Sequence, residues 1–167
     1  MQYVQVVNTP LGKITLLSDD EFLLGSWFEG QKHFGSKYDL SSAIFAETPI
    51  LKQAKKWLSA YFAGEQPDDS GLTIQMNGTI FQKKVLQALR QVPYGQTVTY
   101  KHICQMITSD EAQANKLSRA VGNAVSKNPF VLFIPCHRVV GSDGSLTGYA
   151  GGIERKRSLL VLEQVTF

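Results

Sequence analysis

Cys136 and His137 are adjacent, and they offer the most direct chemistry in this sequence. A thiolate is the strongest nucleophile among side chains, but a free cysteine is mostly protonated at neutral pH. A base must take that proton, and His137 is the natural one. Neighbouring side chains of an extended strand point to opposite faces. Direct contact would therefore need a tight turn at Cys136, and a bridging water is the expected link. A third, acidic group should orient the imidazole, as in other nucleophile–base–acid relays. Glu163 on the last predicted helix is the candidate, because that helix must pack back on this region. Packing and metal binding are the competing readings. Cysteine is among the most buried residue types, and one alone is commonly inert. Cys104 fits that description, beside Ile103, Met106 and Ile107. His102, Cys104, Cys136 and His137 lack the spacing of a structural zinc site, and i, i+2 positions on a helix diverge. No metal is expected.

Positioning these residues falls to two differently patterned parts of the chain. The first part reads as strands at 3–7, 13–17 and 22–28, joined by short turns into an antiparallel meander. Residues 30–47 read as loop. Thr48 is a good N-cap with Pro49 at the first helical position, and Ile50, Leu51, Ala54, Trp57, Leu58, Tyr61 and Phe62 mark one apolar face of the helix that follows. Residues 66–71 form the best linker, with a short strand at 72–76. Thr79 and Gln82 then make a capping-box pattern ahead of a helix whose inner face is Phe81, Val85, Ala88, Leu89 and Val92. Helices at about 100–107 and 112–126 follow, separated by a polar turn, in a helix-turn-helix arrangement. The outer face of the second carries Asn115, Arg119, Gly122, Asn123 and Ser126, which suits close approach to a nucleic-acid backbone. An αα-hairpin with a solvated face is the other reading of the same helices. A buried strand at 131–134 leads into Cys136, and a glycine-rich loop at 148–152 precedes the last helix.

The chain has 167 residues, enough for one ordinary domain or two small ones. With 43% hydrophobic and 19% charged residues it is neither a disordered tail nor a membrane protein. No apolar run approaches the roughly 20 residues that a membrane helix needs. Two cysteines are too few for a disulfide framework. No export signal is visible at the N-terminus, so a cytoplasmic protein is expected. The net charge of +3 hides an asymmetry: residues 1–76 carry −3 and residues 77–167 carry +6. A basic half beside an acidic one suits a polyanionic partner.

Pro135-Cys-His-Arg-Val139, with Asn128-Pro129 before it and Gly148-Tyr-Ala-Gly-Gly152 after it, resembles the active-site signature of the O6-alkylguanine-DNA alkyltransferases, or methylated-DNA–protein-cysteine methyltransferases. Phe81-Gln82 with Val85 and Leu89, Val92-Pro-Tyr-Gly95, Thr97-Val-Thr-Tyr100 and Arg119-Ala-Val-Gly122 follow the family in order and spacing. The resemblance covers most of residues 79–163; residues 1–76 share only a strand–helix pattern and size. It implies an α/β, ribonuclease-H-like N-terminal domain at 1–76 with a small antiparallel sheet plus a helix. A mostly α, winged-helix-like helix-turn-helix alkyltransferase domain would follow at 77–167.

The resemblance also implies roles. Cys136 is the expected alkyl acceptor, with His137 and Glu163 completing a Cys–water–His–Glu relay. Asn128 would brace the turn before the active-site segment. Tyr100 would push on the target phosphate and donate to the guanine ring. Arg119 would fill the gap left in the base stack, with Ala120, Gly122 and Asn123 beside it on the recognition helix. Tyr149, Ala150 and Gly151 would wall the base pocket. The carbonyls of Cys136 and Val139 would face the guanine amino group, and Lys156 completes the DNA- and substrate-binding set. The expected partner is double-stranded DNA containing O6-alkylguanine, approached through the minor groove by a monomer, with O4-alkylthymine a second candidate substrate. No cofactor is needed, since the damaged base is the donor. Ala150 stands where some members have serine, so only its backbone N–H remains to meet O6. Val131 stands where some have a pocket-lining proline. Residues 1–76 hold no Cys/His set for the zinc that some members carry. A cysteine hydrolase using the same trio on acyl substrates is the alternative. An alkyltransferase-like lesion binder is a third reading, but such relatives replace the cysteine.

Overall fold

The computed structural model describes residues 1–166. The described chain divides into two compact units, one of residues 1–76 with 129–133 and one of residues 77–128 with 134–166.

In the first unit, β1 (Tyr3–Thr9), β2 (Gly12–Ser18) and β3 (Leu23–Phe28) form the expected antiparallel meander. A fourth strand, β4 (Ile44–Phe45), runs parallel to β1 and makes the sheet mixed, in the order β3-β2-β1-β4. It arises inside the segment read as loop, because two residues carry no periodicity. Thr48 caps α1 (Pro49–Phe62) by accepting from the Leu51 N–H, and Leu51, Ala54, Leu58 and Tyr61 are its buried face. Trp27 is fully buried with Val4, Leu17 and Leu24. A Cβ at Gly25 would sit 2.0 Å from the Trp27 ring, so glycine there makes room for the indole.

Residues 129–133 group with this sheet in the first compact unit. The Ser26 N–H donates to the Pro129 carbonyl at 2.8 Å, and the Val131 N–H to the Ser26 carbonyl at 3.0 Å. Phe133 packs on Trp57 with ring centroids 4.6 Å apart. The strand expected at 131–134 is instead a turn, bridged to β3 only at Phe130. Leu132 has φ of +74°, and an apolar side chain in that region ends extended pairing. The segment is buried, as its composition foretold.

The second unit opens with α2 (Ile80–Arg90), capped by the Thr79 hydroxyl at the Gln82 N–H. Next come β5 (Val98–Thr99), α3 (Tyr100–Ile107) and α4 (Glu111–Ser126). The α3 and α4 helices pack on each other and both pack on α2, a helix-turn-helix arrangement. Thr99 and Asp110 cap them. The chain returns through a 3-10 turn at Cys136–Arg138 into β6 (Val139–Val140), which pairs parallel with β5, and ends in α5 (Ile153–Leu162). Val85, Leu86, Leu89, Ile103, Val121, Leu159 and Leu160 are sealed from solvent in this unit, and Cys104 is 1% exposed among them.

Candidate active site

Cys136, His137 and Arg138 form one tight turn of 3-10 helix, closed by the Val139 N–H on the Cys136 carbonyl. The β5–β6 ladder pins that turn, with Val98 opposite Val139 and Thr99 opposite Val140. Because Tyr100 follows Thr99 directly, the same two rungs fix the first residue of α3 relative to the turn. The α5 helix packs on the turn. All three turn residues are buried, His137 completely.

Glu163 sits just past α5, and its carboxylate is saturated with donors. Its Oε2 lies 2.6 Å from Nε2 of His137 and accepts from Nη2 of Arg138 at 3.2 Å. Its Oε1 accepts from Nε of Arg138 at 2.8 Å and from the Gly95 N–H at 3.0 Å. Burial alone would raise the Glu163 pKa. The hydrogen bonds and charges of His137 and Arg138 outweigh it and hold the group well below the usual carboxylate range. Burial pushes His137 down, against the Glu163 hydrogen bond and charge, so the ring is neutral near pH 7. A neutral ring beside a carboxylate must donate through Nε2, which makes Nδ1 the basic atom. Burial pushes the Cys136 thiol up to about 11, opposed by a hydrogen bond from the Asn128 side chain and by the charge of Lys156. The resting state is therefore a thiol next to a base oriented by an acid.

The other expected residues lie between the start of α3 and the end of α5. The Asn128 side chain also donates to the Ile134 carbonyl at 2.8 Å, bracing the chain across residues 129–133. Tyr100 is half-buried, with its hydroxyl 3.4 Å from the Thr147 carbonyl, and its pKa is raised by burial and by the charge that Cys136 would carry. Tyr149 and Gly151 are buried and Ala150 half-buried in the loop before α5. On α4, Arg119, Ala120 and Asn123 are exposed and Gly122 half-exposed, an open face of small and polar groups. Val139 is buried. Lys156 differs from its group: it is fully buried, and its Nζ donates to the Thr147 carbonyl at 2.8 Å. Cys136 itself is 5% exposed. Two surface depressions of about 350 and 340 Å³ lie on the α2–α3 side and are not lined by it.

Sequence reasoning gave Arg138 no role. Besides Glu163, Arg138 donates from Nη1 to the Val92 carbonyl at 2.7 Å and lies 5.7 Å from the Tyr94 ring centroid. A lone charge inside the apolar run 130–140 was its signal, since a buried charge must be paired. Among the described residues no cluster of three or more His, Cys, Asp or Glu could hold a metal ion. No helix there is long and apolar enough to cross a membrane.

These features place a buried cysteine, histidine and glutamate together on a helix-turn-helix unit. Residues 80–165 match the family model "6-O-methylguanine DNA methyltransferase, DNA binding domain", and residues 2–76 match "6-O-methylguanine DNA methyltransferase, ribonuclease-like domain". The constitutive methylated-DNA–protein-cysteine methyltransferase of Bacillus subtilis is 36% identical over 168 residues, spanning 100% of this chain and 98% of its own. The Methanosarcina acetivorans methylated-DNA–protein-cysteine methyltransferase is 38% identical over 96% of this chain and 97% of its own. The structure of Mycobacterium tuberculosis OGT in complex with DNA superposes with a TM-score of 0.82 at 36% identity, covering 97% of this chain and 92% of that one. The chain belongs to the methylated-DNA–protein-cysteine methyltransferase family.

Proposed function

We propose that this chain repairs DNA by direct reversal, moving an alkyl group from O6 of guanine onto its own Cys136, once per molecule. The observation that carries this reading is the His137–Glu163 contact behind the buried Cys136, on a unit whose α4 face is open and built of small residues. The lesion lies on the base-pairing edge, so the nucleotide must leave the stack. Arg119, exposed on α4, would fill the gap, and the minor groove suits a helix with so little bulk. A Cβ on Gly122 would meet nothing within 4 Å, so no internal packing requires glycine there. Mid-helix glycine costs about 1 kcal/mol relative to alanine, and room for a phosphate backbone accounts for it.

In the transfer, the thiol proton passes to Nδ1 of His137, directly or through a water. The sulfur forms a bond to the alkyl carbon as the carbon–O6 bond breaks. The electron pair of that bond leaves with guanine, which takes up one proton. Thiol plus alkylguanine thus becomes thioether plus guanine, with no cofactor. A hydrogen bond from Tyr100 to the ring and N–H groups of residues 149–151 near O6 ease departure of the base. A thioether has no carbonyl for water to attack, so the protein is spent. The protein acts as a monomer in the cytoplasm.

Intact mass after mixing with methylated DNA tests this reading. The expected gain is one methylene, localised to Cys136 and absent in Cys136→Ala. Repeated turnover without an adduct would favour the hydrolase reading instead.

A further inference from the structure

We propose that Gly95 is a positioning residue for the alkyl transfer: its backbone N–H and its missing side chain seat the Glu163 carboxylate, and so fix the ring of His137 that receives the thiol proton. The inference rests on reading Cys136 as the alkyl acceptor. Gly95 lies in the turn that leads from α2 to β5, where the Gln96 N–H closes on the Pro93 carbonyl at 3.2 Å. Its φ is +78°. A positive φ at the third residue of a turn favours glycine, which adopts it without steric cost. A Cβ built there would stand 3.3 Å from the Glu163 carbonyl oxygen, nearer than side chains ordinarily approach. Two features thus meet at one position: an N–H 3.0 Å from Oε1 of Glu163, and a gap into which the Glu163 backbone fits.

Three of the four hydrogen bonds described on the carboxylate come from His137 and Arg138, both in the 3-10 turn. A carboxylate held by those alone would follow any shift of the turn. The Gly95 N–H is a donor from outside the turn, and it belongs to the backbone. With Nε of Arg138 on the same oxygen, it pins Oε1 and leaves Oε2 to face Nε2 of His137. A hydrogen bond to an ionised carboxylate is of the strong kind.

Residues on either side of Gly95 make this stretch a common ruler for the site. The Val92 carbonyl accepts from Nη1 of Arg138 at 2.7 Å, and the Tyr94 hydroxyl donates to the Leu162 carbonyl at 3.4 Å. A little further on, Val98 stands opposite Val139 and Thr99 opposite Val140. Residues 92–99 therefore hold the acid by their turn and the cysteine-bearing turn by their strand. The placing of Glu163 relative to Cys136 is set along that stretch. A residue that prefers negative φ at position 95 rotates the 94–95 peptide. The N–H then turns away from Oε1, and the carboxylate is free to tilt. His137 is held less firmly with its proton on Nε2, and Nδ1 is no longer reserved as the base.

The test uses Gly95→Ala and Gly95→Asn in the full chain. Asparagine tolerates a left-handed backbone better than alanine, while both carry the Cβ that meets Glu163. Urea denaturation should therefore show Gly95→Ala to be the less stable of the two, and Gly95→Asn serves alone if Gly95→Ala does not fold. The limiting rate of alkyl uptake from free O6-benzylguanine should fall about tenfold in both, with half-saturation within about twofold of the parent. The ring-nitrogen NMR shifts of His137, assigned by their loss in His137→Gln, should move in both from the Nε2–H form toward a mixture of tautomers. A glycine needed only for the backbone of its turn would give rate losses that track stability and leave the His137 shifts in place. That pattern, or a parent rate with parent shifts in either folded variant, overturns the proposal. If the parent takes up no alkyl group but the His137 shifts still move in the variants, the reaction assigned above fails and the seating of Glu163 by Gly95 stands.

Discussion

Four hydrogen-bond donors converge on the Glu163 carboxylate, and two of them come from one arginine. Removing the acid leaves the Arg138 guanidinium buried without its counter-ion. Glu163→Ala should therefore lose about 3–5 kcal/mol of stability by urea denaturation, as well as alkyl transfer. The pH dependence follows from the pKa directions. Glu163 is depressed in the folded state, so its contribution is complete above the ordinary value of 4.5 and is lost as pH falls toward the folded value. His137 is depressed from 6.5, so it likewise contributes above 6.5 and loses that contribution as pH falls. Stability should start to decline below about pH 6.5 and fall more steeply below about 4.5. In Glu163→Gln the lower phase should flatten; a pH curve parallel to the parent's would refute the assignment. The adjacent Cys136 and His137 and the acid at Glu163 could be read from residue types alone. Arg138 could not be given a role, because its partners, the Val92 carbonyl and Glu163, lie 46 and 25 positions away and meet it only after folding.

Among the elements, α4 gives the sharpest test. Gly122→Ala adds a methyl to open space on a helix, so the isolated protein should gain about 1 kcal/mol in stability. Binding to duplex DNA, measured by fluorescence anisotropy, should weaken at the same time. A variant that binds as well as the parent would remove this face from the interface. Arg119→Ala should slow repair in duplex DNA more than reaction with the free base; equal losses would argue against a base-flipping role. The helices were legible because their caps and periodicity are local: Thr48, Thr79 and Thr99 each accept from the N–H three residues on. The irregular pieces were not. Two-residue β4 has too little sequence to carry a pattern. The stretch 131–134 is apolar enough for a strand, but the backbone at Leu132 turns away from one, and no propensity rule foresees a leucine at φ of +74°.

For the whole molecule, the charge asymmetry between residues 1–76 and 77–167 was visible at once and now has a place. The basic half contains the helix-turn-helix and the reactive turn. Affinity for undamaged duplex should accordingly fall steeply with salt between about 50 and about 200 mM, while reaction with a free base changes little. Salt-independent binding would mean that phosphates are not the main contact.

The composite make-up of the first unit matters during synthesis. The edge of β3 that Ser26 presents to Pro129 and Val131 stays uncovered until the ribosome has made residue 133. By then α2, α3 and α4 have already been translated. The nascent N-terminal sheet must therefore wait, with a bare strand edge, while later helices form, and that interval is when the polypeptide is most open to edge-to-edge aggregation and to chaperones.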